Sequence, residues 1–304
     1  MAGEHRPGEP AVGERPVGDG PVGGPAVSEG AVGAGGDELV VVPLRHWGRW
    51  VGGAVILAVL GALGWALADA KIDYAAVPGF FTHDIMLRGL VNTVLLALAA
   101  QAGAIVLGVL IALLRRSANP VARWFAAGYV WLFRGLPVLL QILLWFNLAL
   151  VFENISVFGL FEEKTNVLVT AFVAALLGLG LNESAYMAEI VRAGLNSVDH
   201  GQVEAAKAIG MTPATTLRRV VLPQAMRVII PPTGNNFINM LKGTSMASVI
   251  GFLELIHAAN NIASRNLQIM ETLLAAAAWY MVVVSVASVG QHFLERHYGK
   301  GVAR

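Results

Sequence analysis

Gly201-Gln202-Val203-Glu204-Ala205-Ala206-Lys207-Ala208-Ile209-Gly210, with Val220-Val221-Leu222-Pro223 following, is a polar, small-residue stretch set between strongly apolar runs. A connection of about thirty residues between two membrane spans is long enough to carry a task of its own. Its placement fits a docking element for a partner outside the bilayer. Read as a helix, it turns Ala205, Ala206, Ile209 and Gly210 toward one side, flanked by Glu204 and Lys207. Small side chains admit another surface close to the backbone, and Gly210 is placed to end the helix. The alternative is an ordinary interfacial helix lying on the lipid headgroups.

Composition says which solvent surrounds this loop. The 304 residues are 56% hydrophobic and 13% charged, with a mean hydropathy of +0.64. Soluble domains carry roughly a quarter charged residues, so lipid is the expected solvent here. A net charge of +1 with no long basic block offers nothing to nucleic acid. The absence of cysteine excludes disulfides and thiolate metal sites, and no HExxH pair or His cluster occurs. Gly299-Lys300 is followed by Gly301 and not by Ser or Thr, so the phosphate-binding GxxxxGK[ST] loop is missing. No catalytic residue, metal ligand or cofactor is expected in this chain.

A spanning helix needs about twenty mostly apolar residues, because its backbone must satisfy itself in lipid. Six stretches qualify: about 49–68, 89–114, 135–152, 166–190, 225–253 and 271–293. An amphipathic run at 121–133 precedes the third, and Arg134-Gly135-Leu136-Pro137 is expected to break the chain between them. Pro223, Pro231 and Pro232 are expected to set the start of the fifth span. Trp47, Trp50 and Trp65 bracket the first as interface anchors. Residues 1–43 are rich in Gly, Pro, Ala and acidic residues and are expected to be a disordered tail, not a signal peptide.

Basic residues set the sidedness. Arg45 and Arg49 precede the first span, and Arg115, Arg116, Arg123 and Arg134 lie between the second and third. Arg192, Lys207, Arg218, Arg219 and Arg227 surround the Glu204 loop, and Arg296, Lys300 and Arg304 follow the last span. The alternate loops carry Asp69, Asp73, Asp84, Glu153, Glu162, Glu163 and Glu254. By the positive-inside rule both termini and the Glu204 loop are expected in the cytoplasm.

The spacing Glu-Ala-Ala, three residues, Gly, nine residues, an aliphatic, one residue, Leu-Pro resembles the cytoplasmic EAA loop of ABC-importer permeases. Glu204, Ala205, Ala206, Gly210, Val220, Leu222 and Pro223 occupy that pattern. Arg134-Gly135-Leu136-Pro137 with Gln141 is similar to the RGxPxxxQ segment of permeases for polar amino acids. Residues Ala185 to Arg192 are similar to their AYxAExxR segment, and Asn235-Asn236-Phe237-Ile238 with Lys242-Gly243-Thr244-Ser245 to their fifth-span pattern. Gly243 stands where the pattern has Asp or Asn, and Met246 where it has Leu. The resemblance covers about residues 85–296, with the EAA loop at 196–223. It leaves outside an extra N-terminal helix at 44–70, the tail, and a cytoplasmic C-terminus at 297–304.

The resemblance implies an all-α plasma (inner) membrane protein, with five core transmembrane helices of an ABC type I importer permease plus one extra N-terminal transmembrane helix. It implies a coupling helix built on Glu204, Ala205, Ala206 and Gly210, with Leu222 and Pro223, seated in a groove of an ATP-binding ABC subunit. ATP and Mg would then sit on that partner ATPase. Further partners implied are a second permease (identical or related) and an extracytoplasmic solute-binding protein. The cargo implied is a polar amino acid. The alternatives are a permease for another small solute, or a secondary transporter driven by an ion gradient.

Polar residues at membrane depth are costly and usually face a cavity or partner. Asn235, Asn239, Lys242 and Ser245 or Met246 recur on one face of the fifth span, with Gln101 on the second, and Asn182 and Glu183 on the fourth. Glu183 and Lys242 either pair with each other or bind the ammonium and carboxylate of an amino acid, directly or by lining its path. Arg134 and Gln141 are either a gate or, for Arg134, an interfacial anchor.

Overall fold

The computed structural model describes residues 47–157 and 161–298. The expected tail at 1–43 lies outside them. The chain divides into two units after Asp69. In the first, the described residues form α1 (Trp47–Ala68), a helix of 22 residues with none buried. At 1.5 Å per residue it is about 33 Å long, enough to cross a hydrocarbon layer of about 30 Å.

The second unit runs α2 (Val77–Phe81), α3 (Asp84–Arg115), α4 (Pro120–Gly135) and α5 (Val138–Phe146). A short antiparallel hairpin of β1 (Asn154–Val157) and β2 (Phe161–Lys164) follows, a feature the apolar pattern does not announce. Then come α6 (Thr165–Leu168), α7 (Ala171–Asn196), α8 (His200–Ala208) and α9 (Pro213–Thr216). A π turn at Leu217–Val221 leads into α10 (Leu222–Gly243), and a 3-10 turn at Thr244–Ile250 into α11 (Leu255–Asn266) and α12 (Ile269–Tyr298). Among the described residues four helices are long and apolar enough to span alone, or six spans if each bent pair counts as one.

The core is α3 against α7. Hydrophobic burial does not drive helices together in lipid, so close backbone approach has to. Ala97, Ala100, Ala104, Gly108 and Ala112 make a buried small-residue row on α3, met by Ala174, Ala185 and Ala188 on α7. A Cβ on Gly108 would stand 2.5 Å from the Cβ of Met187 and 3.0 Å from the Ser184 oxygen. No side chain separates the two backbones there.

Three expectations need correction. The expected break is present, α4 and α5 meeting at 101° across Leu136-Pro137, but the third span does not run over 135–152: α5 covers only Val138–Phe146. Pro231 and Pro232 lie inside α10 rather than at its start. Pro offers no N–H, so intrahelical carbonyls there lose donors. The carbonyls concerned are those of Arg227 and Val228, four residues earlier. Gln291 of α12 donates instead to the Pro231 oxygen at 2.8 Å, a bond that ties α12 to α10. Finally, the fifth span does not reach 253 as an α-helix. Gly251 turns at φ +76°, and α11 leaves at 46°, a helix that the span count had not included.

Candidate functional site

The α8 segment is fixed at both ends by its own sequence. Asp199 accepts a hydrogen bond from the Gly201 N–H at 2.6 Å, capping the first turn. At the other end Gly210 takes φ +80°. Its N–H donates to Lys207 O at 2.9 Å, and that of Met211 to Ala206 O at 3.0 Å. This pair is a Schellman stop, which only a residue at ease in the left-handed region closes cheaply. Glu204, Ala205, Lys207 and Ala208 are exposed, and Ile209 is 78% exposed.

Ala206 departs from the expected docking face. It is 4% exposed and turned into the chain, because Val203 and Ala206 share the stripe that packs toward α9 and the π turn. The presented surface is therefore Glu204, Ala205, Ala208 and Ile209. Leu222 and Pro223 open α10, Pro223 lying in its first turn directly after the π turn. Leu222 lines a crevice within the bundle instead of extending the α8 surface.

The break between α4 and α5 gathers three of the polar residues. Gln141 is 2% exposed and donates to Phe133 O and Leu136 O at 3.0 Å each. Asn182 donates to the same Phe133 oxygen at 2.5 Å. Both amides thus bind carbonyls that the break leaves without helical donors. Arg134 stays exposed, its guanidinium 4.9 Å above the ring of Tyr186.

Glu183 and Lys242 do not pair. Glu183 accepts a hydrogen bond from the Asn236 amide, and no ion pair to Lys242 occurs among the described residues. Asn235, Asn239 and Lys242 are exposed on α10, and Met246, 40% exposed, carries the stripe one step further. Ser245 is half-buried and turns its hydroxyl back to Lys242 O at 2.8 Å. Gln101 is buried on α3 with its amide nitrogen 3.9 Å from the Met187 sulfur.

A family model described as the binding-protein-dependent transport system inner membrane component matches residues 104–300. The chain belongs to this permease family. It is 41% identical over 267 residues to the arginine transport system permease protein ArgU of Corynebacterium glutamicum, covering 86% of this chain and 84% of that one. It is 38% identical to the L-cystine transport system permease protein TcyB of Bacillus subtilis, covering 72% and 89%. Among solved structures it is similar to an amino acid ABC transporter crystallised with histidines, at 35% identity and a TM-score of 0.65, covering 75% of this chain and 100% of that one. The inward-facing MetNI methionine ABC transporter shares the fold at 18% identity and a TM-score of 0.55.

The family match places this permease among membrane-spanning subunits, not nucleotide-binding ones. It includes α8, Glu183 and all of α10, whereas α1 and Gln101 fall outside it. The permease also carries two carboxylates whose partners residue spacing does not announce. Glu189 of α7 bonds Arg115 of α3 and, at 2.7 Å, Arg192 one turn on, tying α3 to α7 near the α8 end. The motif names Glu189 and Arg192, but nothing in it announces Arg115, 74 positions earlier. Glu254, with no exposed surface, caps α11 through the N–H groups of Ile256 and His257 and accepts from Tyr280 at 2.8 Å.

Proposed function

We propose that this chain is the permease subunit of an ABC importer for a polar amino acid, with α8 docked in a groove of a separate ATP-binding subunit. The observation that carries the proposal is α8 itself: a helix capped at Asp199, stopped at Gly210, and presenting Glu204, Ala205, Ala208 and Ile209, all exposed among the described residues. A short rigid helix of this kind passes a push from one body to another, because it has no slack of its own. The arginine and cystine systems named for its relatives support an amino acid as cargo.

The ATPase subunit supplies the ATP and Mg, and an extracytoplasmic binding protein delivers the solute. With α8 on the cytoplasmic side, both termini are cytoplasmic too, in keeping with the basic residues around it. A second permease covers the exposed face of α10. Asn235, Asn239 and Lys242 are exposed there at membrane depth, where polar groups face protein or water and not lipid. Glu183 and Lys242, with Asn235 and Asn239, line the solute path, and Arg134 and Gln141 frame it from the α4–α5 break. Gln101 lines the crevice on the opposite face of α10 and is left out of it.

The test is reconstitution. Proteoliposomes holding the permease, its co-purified ATPase and the cognate binding protein should accumulate a labelled polar amino acid only with ATP. Accumulation driven by an ion gradient without the ATPase would overturn the proposal, as would ATP-driven uptake of a different solute class.

A further inference from the structure

We infer that the permease holds an anionic glycerophospholipid, its acyl chains in a crevice between α3, α7, α10 and α12 and its phosphate beneath α8. The crevice has a volume of about 940 Å³. Its walls are mainly apolar, with Leu113 from α3, Leu195 from α7, Met226 and Ile230 from α10 and Leu294 from α12, and with Gln101 and Gln291 as the polar exceptions beside Thr233. Leu113 and Leu294 are 53% and 47% exposed, so the crevice is open along one side. It lies on the face of α10 opposite the Asn235–Asn239–Lys242 stripe, since Met226, Ile230 and Phe237 repeat half a turn away from those residues.

A second cavity of about 410 Å³ lies next to the crevice toward α8 and shares Leu113, Leu195 and Leu217 as walls. Arg116, His200 and Lys207 line this second cavity, and no carboxylate does. Arg116 commits one of its donors to Asn196 at 2.9 Å, leaving others free. Thr216 also lines it, 4% exposed, with a hydroxyl that has no hydrogen-bond partner among the described residues. A buried hydroxyl without a partner is costly and points to an absent one.

An apolar slot beside a cationic pocket with an unpartnered hydroxyl in its wall fits one chemistry, an anion carrying long hydrocarbon. A free phosphate would leave the slot empty, and an uncharged lipid would leave Arg116 and Lys207 unmatched. Basic pockets between transmembrane helices are a recurrent site for anionic headgroups. Lys207 belongs to α8, so a lipid held here would steady the coupling helix from behind.

The permease, purified with its ATPase, is placed in phosphatidylcholine nanodiscs doped with a phosphatidylglycerol that carries a photoreactive diazirine on one acyl chain. Adducts are expected on the crevice faces of α3 and α10. Excess unlabelled phosphatidylglycerol should suppress them, and phosphatidylcholine should not. Arg116→Gln and Thr216→Val should each lower crevice labelling roughly fivefold. Labelling at Val286, 68% exposed on the outer face of α12, serves as the folding control and should not change. Equal labelling by a phosphatidylcholine probe, or adducts confined to outward faces, overturns the inference. So does a high-yield disulfide, formed with copper phenanthroline, between Leu294→Cys and a second cysteine introduced in α1 (Leu60→Cys), or between the Leu294→Cys residues of two permeases, since protein would then fill the crevice.

Discussion

Gln141 reaches back across the α4–α5 break to the backbone oxygen of Phe133 at 3.0 Å, and its amide nitrogen also serves Leu136 O at 3.0 Å. A 101° bend in a membrane helix exposes carbonyls that lipid cannot satisfy. One glutamine therefore makes the bend tolerable, and Asn182 shares the work at Phe133.

Gln141→Leu keeps the volume and removes both bonds. The permease should lose about 1–2 kcal/mol, read as a lower melting temperature in detergent. Gln141→Glu is the companion variant, since it keeps the shape but brings no second donor. Unchanged melting in both would mean that the break is held by packing alone.

Gly210 sits at φ +80° with open space around it, so a substitution there is resisted by backbone strain and not by clash. Asn tolerates this region best, Ala costs about 1–2 kcal/mol, and a β-branched residue costs more. ATP-driven uptake and retention of the ATPase should both fall in the order Gly, Asn, Ala, Val, with the spans still folded. Wild-type coupling in Gly210→Val would remove the stop, and with it the docking role of α8.

The α3–α7 contact can be probed with two glycines on one helix. Gly108→Leu drives a side chain into Met187 and the α7 backbone, whereas Gly103 has nothing within 4 Å. Gly108→Leu should cost about 1–3 kcal/mol or abolish the folded protein, and Gly103→Leu should leave melting unchanged. Equal tolerance of both changes would contradict the packing described above.

Glu183→Gln retains a side-chain oxygen for the Asn236 amide, so it removes charge without removing the hydrogen bond. Lys242→Met removes the charge from the exposed stripe. Uptake should be lost in both, while assembly with the ATPase and the second permease survives. Normal uptake by both variants would show that neither charge serves the solute path.

Much of this architecture is written in local sequence. Twenty apolar residues have one solution in lipid, so α1, α3, α7 and α12 were legible from hydropathy alone. Pro137 announced the α4–α5 break, and Gly210 the end of α8, because each residue restricts the backbone by itself. The short amphipathic α11 is not legible in this way, since its 12 residues are too few to register as a span.

Which side chains meet was decided only in three dimensions. The sequence alone determined that Glu183 and Lys242 are charges at membrane depth, and that Glu204, Ala205 and Ala206 lie in one helical segment. Only the packing of α7 on α10 gave Glu183 to Asn236, 53 positions away, and left Lys242 facing outward. Only the seating of α8 on its own loop turned Ala206 inward. Periodicity states that residues share a face, but the rotation of a helix about its axis is set by the neighbour it packs against.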